Sequence, residues 1–164
     1  MNFLKTLFLA GFVSLAAPSF SQHESAEVEG EHKKDKGIYE IIGSGIYSYS
    51  PAHKTGVAGA EIHFTYWFDH TWGTGLSYTA KFEEDEVLNE IAILGSWNPL
   101  KWMTVNVGPN LVLPTKHDGY SFGAYFETEF NIRPTQWFHF GPVIGGVYGH
   151  EFELNLGMHI GFEF

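Results

Sequence analysis

The chain has 164 residues, no cysteine, 44% hydrophobic and 17% aromatic residues, and 19 acidic against 9 basic side chains. Without cysteine, neither a disulfide framework nor a thiolate metal site is available. The acid excess excludes a nucleic-acid partner, which needs basic patches to displace counterions, and argues against electrostatic docking onto anionic membrane surfaces.

Met1 to Ser21 has the form of a secretory signal: Lys5 supplies the positive start, Leu7 to Ala17 the apolar stretch, and Ser19-Phe-Ser21 a small-x-small cleavage site. The apolar stretch is too short to cross a bilayer as a helix, which needs about 20 residues. Lipoprotein anchoring is excluded because no cysteine follows. Gln22 to Lys36 (QHESAEVEGEHKKDK) is charged, lacks aromatics and has no apolar period, as expected of a disordered tail. From Gly37 to Phe164 the chain reads as one domain of alternating, aromatic-rich segments cut by short turn signals, the form of an all-β meander.

Strands are predicted at 37–49, 56–68, 72–83, 87–97, 101–113, 119–132, 136–148 and 151–164. They exceed the usual globular length of about 5–6 residues and suit tilted strands crossing a bilayer, which need about 9–11. Three connections share a form: Trp67-Phe-Asp-His-Thr-Trp72, Trp97-Asn-Pro-Leu-Lys-Trp102 and Ile132-Arg-Pro-Thr-Gln-Trp137. Keeping the apolar sets before and after each turn on one face requires an odd-length loop, and loops at 69–71, 98–100 and 133–135 satisfy this.

The final strand poses the question of which face is inside. Phe152, Leu154, Leu156, Met158, Ile160, Phe162 and Phe164 occupy one parity; Glu151, Glu153, Asn155, Gly157, His159, Gly161 and Glu163 occupy the other. An eight-stranded barrel has an interior only just filled by its side chains. The Phe, Tyr, Leu and Ile set is too bulky for it. The opposite set, with Gly59, Gly73, Gly75, Gly108, Gly123, Gly141, Gly145, Gly157 and Gly161 among polar residues, suits a narrow lumen. The apolar set therefore faces lipid, with Trp72 and Trp97 marking one interface and Tyr47, Tyr49, Tyr120 and Tyr148 the other. Lipid cannot satisfy an open sheet edge, so the sheet closes. The expected fold is an all-β, eight-stranded antiparallel up-and-down transmembrane β-barrel.

On these features, and on the terminal Gly161-Phe-Glu-Phe164, the segment from Gly37 to Phe164 resembles the small eight-stranded outer-membrane barrels of the OmpA/OmpX type. The resemblance implies the outer membrane of a Gram-negative bacterium, both termini periplasmic, and Phe162 and Phe164 as a signal to the barrel-assembly machinery. Outer-membrane lipid and lipopolysaccharide would be its surroundings, and a monomer its state. The outer loops are shorter than in many of these proteins, which disfavours adhesin-like roles.

Pairing Ile132 with Gln136 would put Glu129 across from His139. Pairing Tyr148 with Phe152 puts His159 opposite Gly141, and pairing Leu113 with Tyr120 puts Asn106 opposite Glu127 and Thr104 opposite Glu129. The expected lumen patch is Thr104, Asn106, Glu127, Glu129, His139 and His159, with Glu61, His63 and Lys81 on the neighbouring wall, Glu90 beyond and Arg133 near the rim. One reading is a satisfied polar plug, since buried charges must be paired. Another is a divalent-metal or small-ligand site, with Glu127, Glu129, His139 and His159 as candidate ligands. A second cluster, on the outer rim, comprises His53, His117, Asp118, His150 and the acids Glu83 to Glu86, suited to pH-dependent or cation-bridged contacts. A lipid A-modifying enzyme would draw on Ser48, Ser50, Ser121 and these histidines, but no serine–histidine spacing singles out a site. The functional expectation is a structural or envelope-integrity barrel or weak binder, without a cofactor.

Overall fold

The computed structural model describes residues 37–164 apart from 85, 117 and 118. The expected signal segment, the charged tail and the rim residues His117 and Asp118 lie outside the described residues. Eight strands follow in order: β1 (Ile38–Ser50), β2 (Thr55–Trp67), β3 (Trp72–Phe82), β4 (Val87–Leu100), β5 (Met103–Val112), β6 (Ser121–Phe130), β7 (Phe138–Tyr148) and β8 (Phe152–Glu163). Each pairs antiparallel with its chain neighbour, and β1 pairs with β8 to close the barrel. Reciprocal bonds seal the seam at its end: Tyr39 N–H donates to the Phe164 carbonyl at 2.9 Å, and Phe164 N–H to the Tyr39 carbonyl at 2.8 Å. Closure leaves no strand edge to be satisfied by solvent.

The alternation written in the sequence becomes two surfaces. Ile62, Phe64, Leu76, Tyr78, Ile91, Ile93, Leu156, Met158 and Ile160 point outward and are exposed. Glu40, Ser44, Glu61, His63, Thr79, Lys81, Glu90, Asn106, Glu127, Glu129, Asn155 and His159 point inward and are buried. This inverts the usual arrangement of a water-soluble domain, and it is the arrangement that lipid outside a polar lumen requires. Aromatic rings mark both ends. Trp72 and Trp97 stack at 5.9 Å, Trp102 on Phe130 at 6.1 Å and Trp137 on Phe162 at 6.1 Å, all at the short-turn rim. Tyr47, Tyr49, Tyr120 and Tyr148 are exposed near the opposite rim.

The interior is less purely polar than expected. Ile42, Ile46, Ala92, Leu94, Val143 and Val147 face inward with the indole of Trp67 and the ring of Tyr125. Ala92, Leu94, Tyr125 and Val147 form a small apolar cluster. Glycine makes room for these side chains and lets neighbouring backbones approach. A Cβ on Gly141 would run into the Phe130 carbonyl of the adjacent strand, and one on Gly108 into that of Ile93.

Of the three matched turns, one is built as expected. At 69–71, Phe68 N–H donates to the Trp72 carbonyl at 2.9 Å, and the Asp69 carboxylate accepts the N–H groups of Thr71 and Trp72 at 2.7 and 2.8 Å. These bonds favour the ionised form and hold the Asp69 carboxyl below its ordinary range. The other two differ. β4 continues to Leu100, which pairs with Met103, and the register shifts between Trp97 and Leu100. A bulge there absorbs Asn98, whose N–H turns to the Thr71 carbonyl at 2.8 Å, so the expected loop at 98–100 is strand. Between β6 and β7, Ile132 faces Phe140 rather than Gln136. Residues 131–137 form a longer connection, in which the Trp137 carbonyl accepts the N–H of Glu163 at 2.9 Å. The β6–β7 register is thereby displaced by an even step: Glu129 lies opposite Val143, not His139, while every side chain keeps its expected face. The pairings of Tyr148 with Phe152, His159 with Gly141, Asn106 with Glu127 and Thr104 with Glu129 are as expected.

Candidate functional site

The inward faces of the eight strands stack their polar side chains into three clusters. Nearest the short-turn rim, Glu40 of β1 accepts the Trp67 indole N–H at 2.9 Å and meets His139 Nε2 of β7 at 2.8 Å. His139 Nδ1 lies 3.2 Å from His159 Nε2 of β8, which lies 2.9 Å from Asn131 Oδ1. Asn131 Nδ2 donates to Thr104 Oγ1 at 2.9 Å, and that hydroxyl donates to Asn98 Oδ1 at 2.7 Å. The carboxylate makes His139 Nε2 a donor and its Nδ1 an acceptor, and the single Nε2–H of His159 is shared between Asn131 Oδ1 and His139 Nδ1.

In the middle, His63 of β2 sits among carboxylates. Its Nε2 is 3.0 Å from Glu61 Oε1; its Nδ1 is 3.4 Å from Glu129 Oε1 and 3.8 Å from Glu127 Oε1. Glu61 also accepts the Tyr125 hydroxyl at 3.1 Å and the Thr79 hydroxyl at 2.6 Å. Asn106 Nδ2 donates to Glu129 at 2.8 Å. Towards the far rim, the Lys81 ammonium bridges Glu90 and Glu153. Asn110 donates to Glu90 at 3.1 Å and Ser48 to Glu153 at 3.0 Å. Arg133 pairs with Glu163 at the short-turn rim. Beside that pair opens a cavity of about 600 Å³ lined by Trp67, Asp69, His70, Asn98 and Arg133, at the rim end of the first cluster.

Thr104, Asn106, Glu127, Glu129, His139, His159, Glu61, His63 and Lys81 are all buried in the lumen. They do not make a single patch. The displaced β6–β7 register sends Glu127 and Glu129 to His63 and leaves His139 and His159 with Glu40, so the four expected metal ligands do not share one ligand sphere. Glu40, Tyr125, Asn131 and Glu153 were not anticipated. Glu40 and Glu153 are charged residues on the lumen parity of their strands, a signal already present; Tyr125 shares the parity of Glu127 and Glu129, so only its aromatic character argued against the lumen. On the outer rim, the His53 ring pairs with Glu151 at 2.8 Å rather than with a serine. His150 stands in the turn between β7 and β8, and Glu83 N–H donates to the Glu86 carbonyl at 3.0 Å.

No protein-family model matches the chain, and no curated protein matches it by sequence. Solved structures do match its fold. The N-terminal β-barrel domain of Pseudomonas aeruginosa OprF aligns with a TM-score of 0.52 at 18% identity, over 79% of this chain and 100% of that one. Ail, the attachment invasion locus protein of Yersinia pestis, gives 0.52 at 11% identity, over 78% and 97%. The outer membrane protein OprG of Pseudomonas aeruginosa gives 0.52 at 12% identity, over 78% and 96%. The chain thus has the closed eight-stranded antiparallel fold of small outer-membrane barrels.

Proposed function

We propose that this protein is an integral β-barrel of a Gram-negative outer membrane, with both termini periplasmic, whose lumen is a packed polar plug that stiffens the barrel. Its role is structural, in envelope integrity, rather than transport or catalysis. The observation that carries this reading is the continuity of the interior: hydrogen bonds run wall to wall from Glu40 to Asn98, and Lys81 ties β3 to β4 and β8. Such a network leaves its members no freedom to move aside for a solute. The exposed apolar band between aromatic rims supports insertion into lipid, and the barrel fold shared with outer-membrane proteins supports the location.

Conductance across planar bilayers tests the plug. The full chain, inserted from detergent, is expected to give no stable channel steps. Reproducible open-channel conductance from the folded, heat-modifiable species would overturn the reading.

A further inference from the structure

The cluster around His63 differs from its neighbours in two respects. In the Glu40–His139 chain each carboxylate oxygen meets a donor, and around Lys81 a cation is present. Around His63 three carboxylates, Glu61, Glu127 and Glu129, share one imidazole, and every one of these side chains is at most 4% exposed. Among the described residues the ammonium of Lys81 is committed to Glu90 and Glu153, and the guanidinium of Arg133 to Glu163. Were all three carboxyls ionised, even a doubly protonated His63 would balance only one of the charges, and uncompensated buried charge is costly.

The second respect is the set of buried polar atoms left without a hydrogen bond. Glu127 Oε1, Glu129 Oε2 and Asn106 Oδ1, all acceptors, are buried without a hydrogen bond in this part of the lumen, whereas the Glu40–His139 chain leaves one such atom, His159 Nδ1. One ligand atom from each of Glu61, His63 and Glu127 can be chosen so that all lie within 4.8 Å of one another. Donors about 2.0–2.2 Å from one ion are at most about 4.4 Å apart, so small side-chain movements would bring these three onto a common ion. Glu40, His139 and Glu163 come equally close but are already engaged, with each other or with Arg133.

We propose that Glu61, His63 and Glu127 form a buried site for one divalent transition-metal ion of the zinc or manganese class. A dipositive ion supplies the charge that imidazole cannot, and the nitrogen ligand disfavours calcium and magnesium, which take oxygen donors. One ring nitrogen of His63 binds the ion while a carboxylate holds the other, and Glu129, 3.4 Å from Nδ1, fills that orienting place. β2 contributes Glu61 and His63 and β6 contributes Glu127, so the ion would cross-link two walls of the barrel. The assignment rests on the closed-lumen reading, but channel conductance is measured independently, so failure of one does not register as failure of the other.

The test uses the untagged full chain, folded in detergent with zinc chloride or manganese chloride and dialysed against metal-free buffer. Metal content is read by plasma mass spectrometry and folding by heat-modifiable migration. One equivalent of zinc or manganese should remain on the wild type. E127Q, which keeps the side chain's shape, and H63A should each retain at least tenfold less, while H159Q, in the other histidine cluster, should retain it fully. If H63A does not fold, E127Q and E61Q decide. A folded wild type that retains neither metal, or folded E127Q and E61Q that retain as much as wild type, would overturn the proposal.

Discussion

Replacing Lys81 by methionine removes one positive charge from a fully buried ion pair. Lys81 is 1% exposed and Glu90 2%. After K81M, Glu90 keeps a single bond from Asn110 at 3.1 Å and has no counter-ion, while Glu153, whose side chain is 30% exposed, can rehydrate. Breaking a buried pair by removing one partner costs about 3–5 kcal/mol. Only Glu90 is stranded in full, so the lower end applies, about 3 kcal/mol. The methionine stem fills most of the lysine volume, so little cavity cost is added. Urea unfolding in phospholipid bilayers, followed by tryptophan fluorescence, reads the change as a lower midpoint at unchanged slope. The double variant K81M/E90Q removes the stranded charge and should recover most of the loss. A K81M midpoint equal to wild type, or a double variant as unstable as K81M alone, would refute the view that the lumen is held by compensated buried charge.

Two further outcomes follow from the backbone and the turns. G141A should lose about 1–3 kcal/mol, because its Cβ meets the Phe130 carbonyl and the two strands must part; the same urea titration checks it. D69A should lower the thermal midpoint at neutral pH by removing the acceptor for Thr71 and Trp72. Because the Asp69 carboxyl is held below its ordinary range, its contribution is present above that range and is lost as pH falls through the lowered value. The gap between D69A and wild type should therefore close in strong acid, and a gap that persists there would contradict the turn assignment.

The fold was legible because parity is a robust signal. The β6–β7 register was displaced by an even number of residues, yet Glu127, Glu129 and His139 stayed in the lumen, since only an odd slip reverses a strand. What parity cannot deliver is height. Whether His139 lies level with Glu129 or two inward positions away depends on the length of the connection up to residue 137, and that depends on the Trp137 carbonyl bonding to Glu163 across the rim. The site therefore changed partners while its residues kept their face. The bulge near Asn98 was hidden for a similar reason: Asn-Pro reads as a turn, and only the bond from Asn98 to Thr71 on the neighbouring hairpin shows why the strand continues. The apolar lumen residues Ile42, Leu94 and Val143 were masked by the rule that apolar side chains face lipid. An interior with so few cations needs neutral filling as well as charge.

The central claim, that apolar side chains meet lipid while the opposite face is a sealed lumen, is most directly tested on β8. The chain has no cysteine, so single cysteines can be placed cleanly. L156C and M158C replace exposed side chains, and N155C replaces a buried one. With a small fluorophore on each, in vesicles containing brominated lipid, the account predicts strong quenching at 156 and 158. At 155 it predicts little quenching and slow labelling in the folded barrel. Quenching at 155 with none at 156 and 158 would place the polar face in lipid and contradict the account.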